Sequence, residues 1–206
     1  ILLAATTRDR VIAWQGVAGA GKSYALNQFR RIAEAQGYTI RGFAPSAEAA
    51  KSLGDSAQIQ QTETVAALLC AQPQESPSQF SEIWVVDEAG LLSAKDALAL
   101  MRKAQDQQSR VILVGDTRQL SAVEAGNPFK SLQQTGMATA YLNQSLRQKH
   151  HQIKTGVDLI AAGKIAEGIH QLKPYIHQVG SEEARAQVIA RDYLALTLEE
   201  RRKTLL

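Results

Sequence analysis

The sequence predicts an α/β protein: a parallel sheet covered by helices on both faces, three layers deep, followed by a mainly helical segment. Three observations carry this. Val11-Ile12-Ala13-Trp14, Ile83-Trp84-Val85-Val86 and Val111-Ile112-Leu113-Val114 are short apolar runs without a polar face, the pattern of strands buried on both sides. Segments of helical periodicity separate them, as parallel crossovers require. Glycine closes two of these runs, Gly16 after the first and Gly115 after the third.

The elements follow in order. Val11 to Trp14 is the first strand. Lys22 to Gln36 is helical, with Gly37 as its stop. Thr39 to Phe43 reads as a strand, Ala47 to Leu53 as a helix, and Thr62 to Cys70 as a short helix opened by Thr62. Pro73, Ser76, Pro77, Ser78 and Ser81 give the stretch from Gln72 to Ser81 a loop composition. The second apolar strand follows, then a helix from Ser93 to Gln107 with Ser93 as N-cap, then the third strand. Past Arg147 the character changes: Ile153 to Ala162, Ile165 to Leu172 and Glu182 to Leu196 read as helices, and Tyr175 to Val179 as a short strand. This divides the chain into an α/β domain, 1–147, and a helical extension, 148–206.

The 206 residues are 45% hydrophobic and 21% charged, a globular composition that excludes a mostly disordered chain. The single cysteine, Cys70, excludes an intramolecular disulfide and an all-cysteine metal site. No apolar run approaches the ~20 residues of a membrane helix, and a reducing, cytoplasmic setting is the expectation. The net charge of +3 is distributed as +3 over residues 1–55, −3 over 56–146 and +3 over 147–206. An acidic middle between basic flanks suits a metal site between phosphate-binding surfaces, and equally suits solvated faces with no such role.

Three motifs carry chemistry. Gly16-Val17-Ala18-Gly19-Ala20-Gly21-Lys22-Ser23 fits G-x-x-x-x-G-K-[ST] between a strand and a helix. Gly16, Gly19, Ala20 and Gly21 would let backbone N–H groups wrap phosphate oxygens, Lys22 would reach the β- and γ-phosphates, and Ser23 would ligate Mg²⁺. Asp87-Glu88 stands at the end of the second apolar strand, 65 positions beyond Lys22. There Asp87 would hold Mg²⁺ through its water shell and Glu88 would orient or deprotonate an attacking water. Gly115-Asp116-Thr117-Arg118-Gln119-Leu120 follows the third strand and sets a polar amide beside the same phosphate.

With these motifs on the page, the chain resembles the RecA-like motor domains of superfamily 1 helicases. G-D-x-x-Q-L shortly after a D-E strand resembles their motif III. Ala44-Pro45-Ser46-Ala47-Glu48-Ala49-Ala50 resembles motif Ia of the RecD-like branch, Thr62 and Thr64 its motif Ib, and Asn143-Gln144-Ser145-Leu146-Arg147-Gln148 its motif IV. From Trp14 to Leu172 the texture is similar to the helicase part of conjugative relaxases of the TraI/TrwC type.

The resemblance implies ATP hydrolysis with Mg²⁺, coupled to 5′-to-3′ movement on single-stranded DNA during conjugative transfer. It implies Lys22, Asp87, Glu88, Gln119 and Arg147 as the catalytic set, with Gln119 sensing the γ-phosphate and Arg147 stabilising charge on it. Pro45, Ser46, Thr62 and Thr64 match positions lining the DNA track, where hydroxyls and N–H groups grip phosphates without reading sequence. The family's adenine-reading glutamine motif and its motifs V and VI are not found. The chain is therefore expected to be the first motor domain, partnered by a second RecA-like domain and a relaxase domain of a larger parent, and not to unwind DNA by itself. Two alternatives stand beside this: a helicase-like module that binds single-stranded DNA without ATP turnover, and a RecD-type repair motor. Among other residues, Trp14, Trp84 and Cys70 read as buried. Adjacent His150 and His151 diverge too far on a helix to make a metal pair, and Arg201-Arg202-Lys203 reads as a solvated helix end.

Overall fold

The computed structural model describes residues 1–17, 19–72, 82–119, 126–142 and 150–204. It divides into two compact units, Ile1–Arg147 and Gln148–Leu206. The first opens with α1 (Leu2–Thr6), β1 (Val11–Gly16), α2 (Lys22–Ala35), β2 (Thr39–Ala44) and α3 (Ala47–Ala57). It continues through β3 (Gln61–Thr64), α4 (Val65–Cys70), β4 (Glu82–Val86), a 3₁₀ turn at Ala89–Leu91 and α5 (Ala94–Asp106), and ends with β5 (Arg110–Gly115), α6 (Pro128–Gln134) and β6 (Thr139–Leu142). The second unit contains α7 (His151–Ala161), α8 (Ile165–Leu172), a 3₁₀ turn at Lys173–Tyr175, α9 (Glu182–Ala195) and α10 (Leu198–Arg202).

The sheet has the order β3-β2-β4-β5-β1-β6, and every pairing is parallel. Side chains alternate across a strand, so each apolar run feeds two cores. Ile12, Trp14, Ile83, Val85, Ile112 and Val114 pack on one face with Leu26 and Phe29 of α2 and Leu53 of α3. Ala13, Trp84, Val86, Val111 and Leu113 pack on the other with Leu68 of α4, Leu100 of α5 and Phe129 of α6. The predicted three-layer parallel architecture is present. It sets the C-terminal ends of the central strands β4, β5 and β1 side by side, where ligand sites of open α/β sheets lie.

The structure departs from the sequence reading at particular places. Thr62 does not open a helix. Residues Gln61–Thr64 form the edge strand β3, in register with Arg41–Ala44, and the Arg41 guanidinium pairs with Glu63 at 3.3 Å. The helix begins after Thr64, whose hydroxyl accepts the Ala67 N–H. The strand expected at Tyr175–Val179 is not formed: a 3₁₀ turn at Lys173–Tyr175 runs into it, and Ile176–Val179 is irregular, with no ladder partner among the described residues. Cys70, expected to be buried, is exposed. Short α1, α6 and β6 have no counterpart in the sequence reading, whereas Arg201–Lys203, read as a solvated helix end, closes the short helix α10. Of these α6 had a readable start, since Asn127 caps it and Pro128 occupies its first turn.

In the second unit α7 and α8 approach closely. A Cβ at Gly156 would lie 2.5 Å from Leu172 Cγ, and one at Gly168 would lie 2.7 Å from the Gly156 carbonyl oxygen. Among the described residues no helix is long and apolar enough to cross a membrane.

Trp14 and Trp84, both buried in the first unit, are the chain's only tryptophans, so their fluorescence reports that unit's unfolding. Leu100→Ala, at a fully buried position of α5, is expected to cost about 2–5 kcal/mol in urea unfolding followed by this signal. A loss under 1 kcal/mol would contradict the packing described.

Candidate functional site

The first functional residues sit at the turn from β1 into α2. Gly19 and Gly21 hold φ of 73° and 78°, backbone that L side chains rarely adopt. Gly21 is the N-cap of α2 and supplies no side-chain cap, so the first N–H groups of this 14-residue helix keep their donors for an external acceptor. Lys22 lies along the inside of the turn, and its Nζ donates to the Gly16 carbonyl at 2.7 Å and to that of Val17 at 3.4 Å. A Cβ at Gly16 would lie 2.8 Å from Lys22 Cγ, so glycine there leaves room for the lysine stem. Ala18, inside this loop, lies outside the described residues.

The second set stands at the end of β4. The Asp87 N–H donates to the Phe43 carbonyl at 2.8 Å, so the ends of β2 and β4 are tied together. Asp87 Oδ1 accepts the Glu88 N–H at 2.9 Å. Glu88 itself holds φ 51°, a left-handed conformation that costs a non-glycine residue about 1 kcal/mol or more. Burial pushes the Asp87 carboxyl above the usual carboxylate range, against the opposing pull of the Glu88 N–H and the Lys22 charge. Gly115 lets β5 end against this turn, since a Cβ there would meet Phe129 Cε1 at 3.0 Å and the Gly90 nitrogen at 3.2 Å.

The third set follows β5. Asp116 is buried and Gln119 exposed, with Gln119 Nε2 3.5 Å from Asp116 Oδ2. Lys22, Ser23, Asp87, Glu88, Gln119 and the glycines 19 and 21 all line one open cleft of about 940 Å³, which Arg118 also borders. Uncapped helix N–H groups, a lysine, a hydroxyl and two carboxylates form the donor and acceptor set for a polyphosphate with a divalent cation. No cluster of three or more His, Cys, Asp or Glu that would hold a metal by side chains alone occurs among the described residues.

The residues expected to line a DNA track do not share one cavity. Ser46 caps α3, accepting the Ala49 N–H, and borders a small cleft with Asp87 and Glu88; Pro45 precedes it at the end of β2. Thr62 and Thr64 line a separate groove of about 720 Å³ along α3 with Arg30 and Lys51. The capping hydroxyls of Ser46 and Thr64 accept from the backbone and keep their own protons to donate. Leu120, Arg147 and the rest of Asn143–Gln148 lie outside the described residues. Two features of the site escaped the sequence reading: Arg118 at the cleft margin and Gln15, a buried amide in β1. Gln15 had a signal in the sequence, as the single polar residue between an apolar strand and a phosphate-loop glycine.

Because burial raises the Asp87 pKa in the folded state, the ionised carboxylate opposes folding at neutral pH, and the cost fades as pH falls through the raised value. Asp87→Asn is therefore expected to raise Tm at pH 7. Its advantage over the wild type should shrink with acidification and vanish below the ordinary carboxylate value of 3.8. A lower Tm for the variant at pH 7 would contradict this. Gly115→Ala is expected to lower Tm and push the Ala89–Gly90 turn away from β5, measured by thermal melting and amide shifts.

Comparison with known proteins follows the same lines. A family model described as an AAA domain matches residues 2–180. The conjugal transfer protein TraA of Rhizobium radiobacter is 26% identical over 182 residues, which cover 88% of this chain and 16% of that protein. The ATP-dependent RecD2 DNA helicase of Deinococcus radiodurans is 34% identical over 146 residues, covering 68% of this chain and 20% of that helicase. Among solved structures the Pif1 helicase of Candida albicans superposes with a TM-score of 0.59 at 14% identity, over 84% of this chain and 45% of that one, a likeness of fold. The chain thus spans a fifth or less of the length of the curated relatives it matches. With the family match running through most of its length, the chain belongs to the AAA domain family, and a RecD2 DNA helicase is among the proteins it is similar to.

Proposed function

We propose that the chain is the ATP-hydrolysing motor domain of a DNA helicase that moves 5′ to 3′ on single-stranded DNA in conjugative transfer. One observation carries the reading: Lys22, Ser23, Asp87, Glu88 and Gln119, from three different strand ends, converge on a single cleft. The polyphosphate of ATP would take the place of the Gly16 and Val17 carbonyls as the partner of Lys22 Nζ, with the N-terminus of α2 behind it. Ser23 and Asp87 would hold Mg²⁺, which when bound offsets the charge of the β- and γ-phosphates. Glu88, exposed in the cleft, would orient the attacking water and accept its proton. Gln119 would contact the γ-phosphate, and Arg147 would add a fixed positive charge on the transferring group.

Pro45, Ser46, Thr62 and Thr64 supply the proposed DNA contacts. The small cleft shared by Ser46, Asp87 and Glu88 supports a link between that track and the nucleotide site. Residues 1–147 would be the motor core and 148–206 an extension toward a second RecA-like domain, with a relaxase domain elsewhere in the parent. The two principal relatives, a conjugal transfer protein and a DNA helicase, support both the setting and the substrate. A cytoplasmic location follows from that setting.

Titration of Mg²⁺-ATP into the chain by calorimetry tests the reading. Saturable binding is expected, and Lys22→Ala is expected to abolish it. Glu88→Gln should retain binding within about twofold while hydrolysis stimulated by oligo-deoxythymidine falls about 10²–10⁴-fold. If the chain binds oligonucleotide yet hydrolyses nothing, and Glu88→Gln changes nothing, the module is a DNA-binding one without turnover.

A further inference from the structure

Gln15 is the one buried side-chain amide in β1, and none of the roles above uses it. It is 7% exposed, and the carboxylate it meets, Asp116, is 9% exposed. Its Nε2 donates to Asp116 Oδ1 at 3.0 Å. Its Oε1 accepts the Thr117 N–H at 3.1 Å, and Gln133 Nε2 of α6 at 3.4 Å. Asp116 Oδ1 in turn accepts the Arg118 N–H at 3.0 Å, and Oδ2 faces Gln119 Nε2 at 3.5 Å. Both ends of one amide are therefore engaged, one by a side chain and one by the backbone of the same turn. The next residue in the chain is Gly16, whose carbonyl holds Lys22.

We propose that Gln15 is a positioning residue that holds the Asp116–Gln119 turn in register with the phosphate loop, so that Gln119 meets the terminal phosphate of a bound triphosphate. The inference rests on the nucleotide reading above and assigns it a further part. Strands β1 and β5 are already paired through Gln15 and Gly115, so their register is secured as far as Gly115. Past that point the backbone ladder ends, and Thr117 to Gln119 have no strand partner. The Gln15 amide extends the register by one more rung, made by a side chain instead of the backbone. In a buried setting such a bond is stronger than at the surface, and leaving either end unpaired is costly. The geometry is two-sided: an apolar residue at position 15 leaves the Thr117 N–H and the Asp116 carboxylate both without this partner, while a carboxylate there serves Thr117 and repels Asp116. Gln133 ties α6 to the same oxygen, so the turn is held from β1 on one side and α6 on the other.

The prediction separates positioning from mere packing, because it concerns discrimination between nucleotides. A diphosphate does not reach Gln119 and should not feel the turn; a triphosphate should. The test uses the chain as it stands, with Mg²⁺-ADP and Mg²⁺-ATPγS titrated by calorimetry into wild type, Gln15→Met and Gln15→Glu. Amide hydrogen exchange is followed in parallel on nucleotide-free protein. Gln15→Met, similar in length and apolar, is expected to bind Mg²⁺-ADP within about twofold of wild type. It should lose about tenfold or more of the preference for Mg²⁺-ATPγS, the size of one lost buried hydrogen bond. Exchange at Thr117 and Arg118 should quicken about tenfold or more, while Ile112 and Val114 in β5 stay protected. Gln15→Glu should keep Thr117 protected and still lose the triphosphate preference.

Unchanged exchange at Thr117 and Arg118 in folded Gln15→Met overturns the proposal, as does an unchanged ratio of the two affinities in protein that binds both nucleotides. If wild type binds neither nucleotide, the motor reading fails by itself. The exchange comparison then decides whether Gln15 holds the turn. A variant melted at the assay temperature, judged by tryptophan fluorescence, would assign Gln15 to the stability of the whole sheet and also overturn the proposal.

Discussion

Burial of β1, β4 and β5 on both faces is the constraint on which the rest of this chain depends. A strand with no solvated side cannot be joined to a parallel neighbour by a hairpin. It needs a crossover, and the crossover must itself be a helix that covers the sheet. Once Ile12 and Trp14 face α2 while Ala13 faces the opposite layer, and β4 and β5 repeat that alternation, helices on both sides follow. So does a common direction for every strand. Three strand ends then open side by side, and the loops there are free of the packing that fixes everything below them. Chemistry collects there because it is the place where the backbone is ordered up to its last rung and unconstrained one residue later.

The site stores opposing demands. Glu88 is held in a left-handed conformation, and Asp87 is kept ionisable while burial works against its charge. Lys22 is satisfied by two carbonyls of its own loop. Each arrangement is unfavourable or self-contained, and the doubly covered sheet supplies the stability that tolerates them. The same sheet ties the Asp87 N–H to β2, so the carboxylate's position is settled by strand pairing even where its charge is not.

Much of this was legible in residues alone, and the limits have physical causes. The apolar runs and the spacing of Gly16, Lys22, Asp87 and Gln119 were readable because each combines local composition with a fixed place at a strand end. The edge strand β3 was not: Gln61-Thr62-Glu63-Thr64 is polar on both sides, and only its pairing with Arg41–Ala44 makes it a strand. Tyr175–Val179 failed in the opposite direction, with β-forming residues and no partner to pair among the described residues. Cys70 ends an apolar helix but falls on its solvent side, a matter of phase that six residues are too few to fix. The Gln15 contacts were out of reach, since they join residues about a hundred positions apart through an amide whose type is common.

The close approach of α7 and α8 has a consequence for how this sequence can drift. At Gly156 the nearest obstacle to a side chain is Leu172 Cγ at 2.5 Å, which a smaller residue would relieve, with the Gly168 carbonyl oxygen behind it at 3.2 Å. At Gly168 the obstacles include the carbonyl oxygen of Gly156 and the amide nitrogen of Ile160, and no exchange of side chains removes backbone atoms. The two glycines are thus unequal in degree: at Gly156 the tightest contact is a side chain that can shrink and the backbone need give only a few tenths of an ångström, while Gly168 meets backbone at 2.7 Å and can change only if the helices part. Descendants of this chain would vary at Gly156 together with Leu172, while Gly168 stays as it is for as long as the hairpin keeps its spacing.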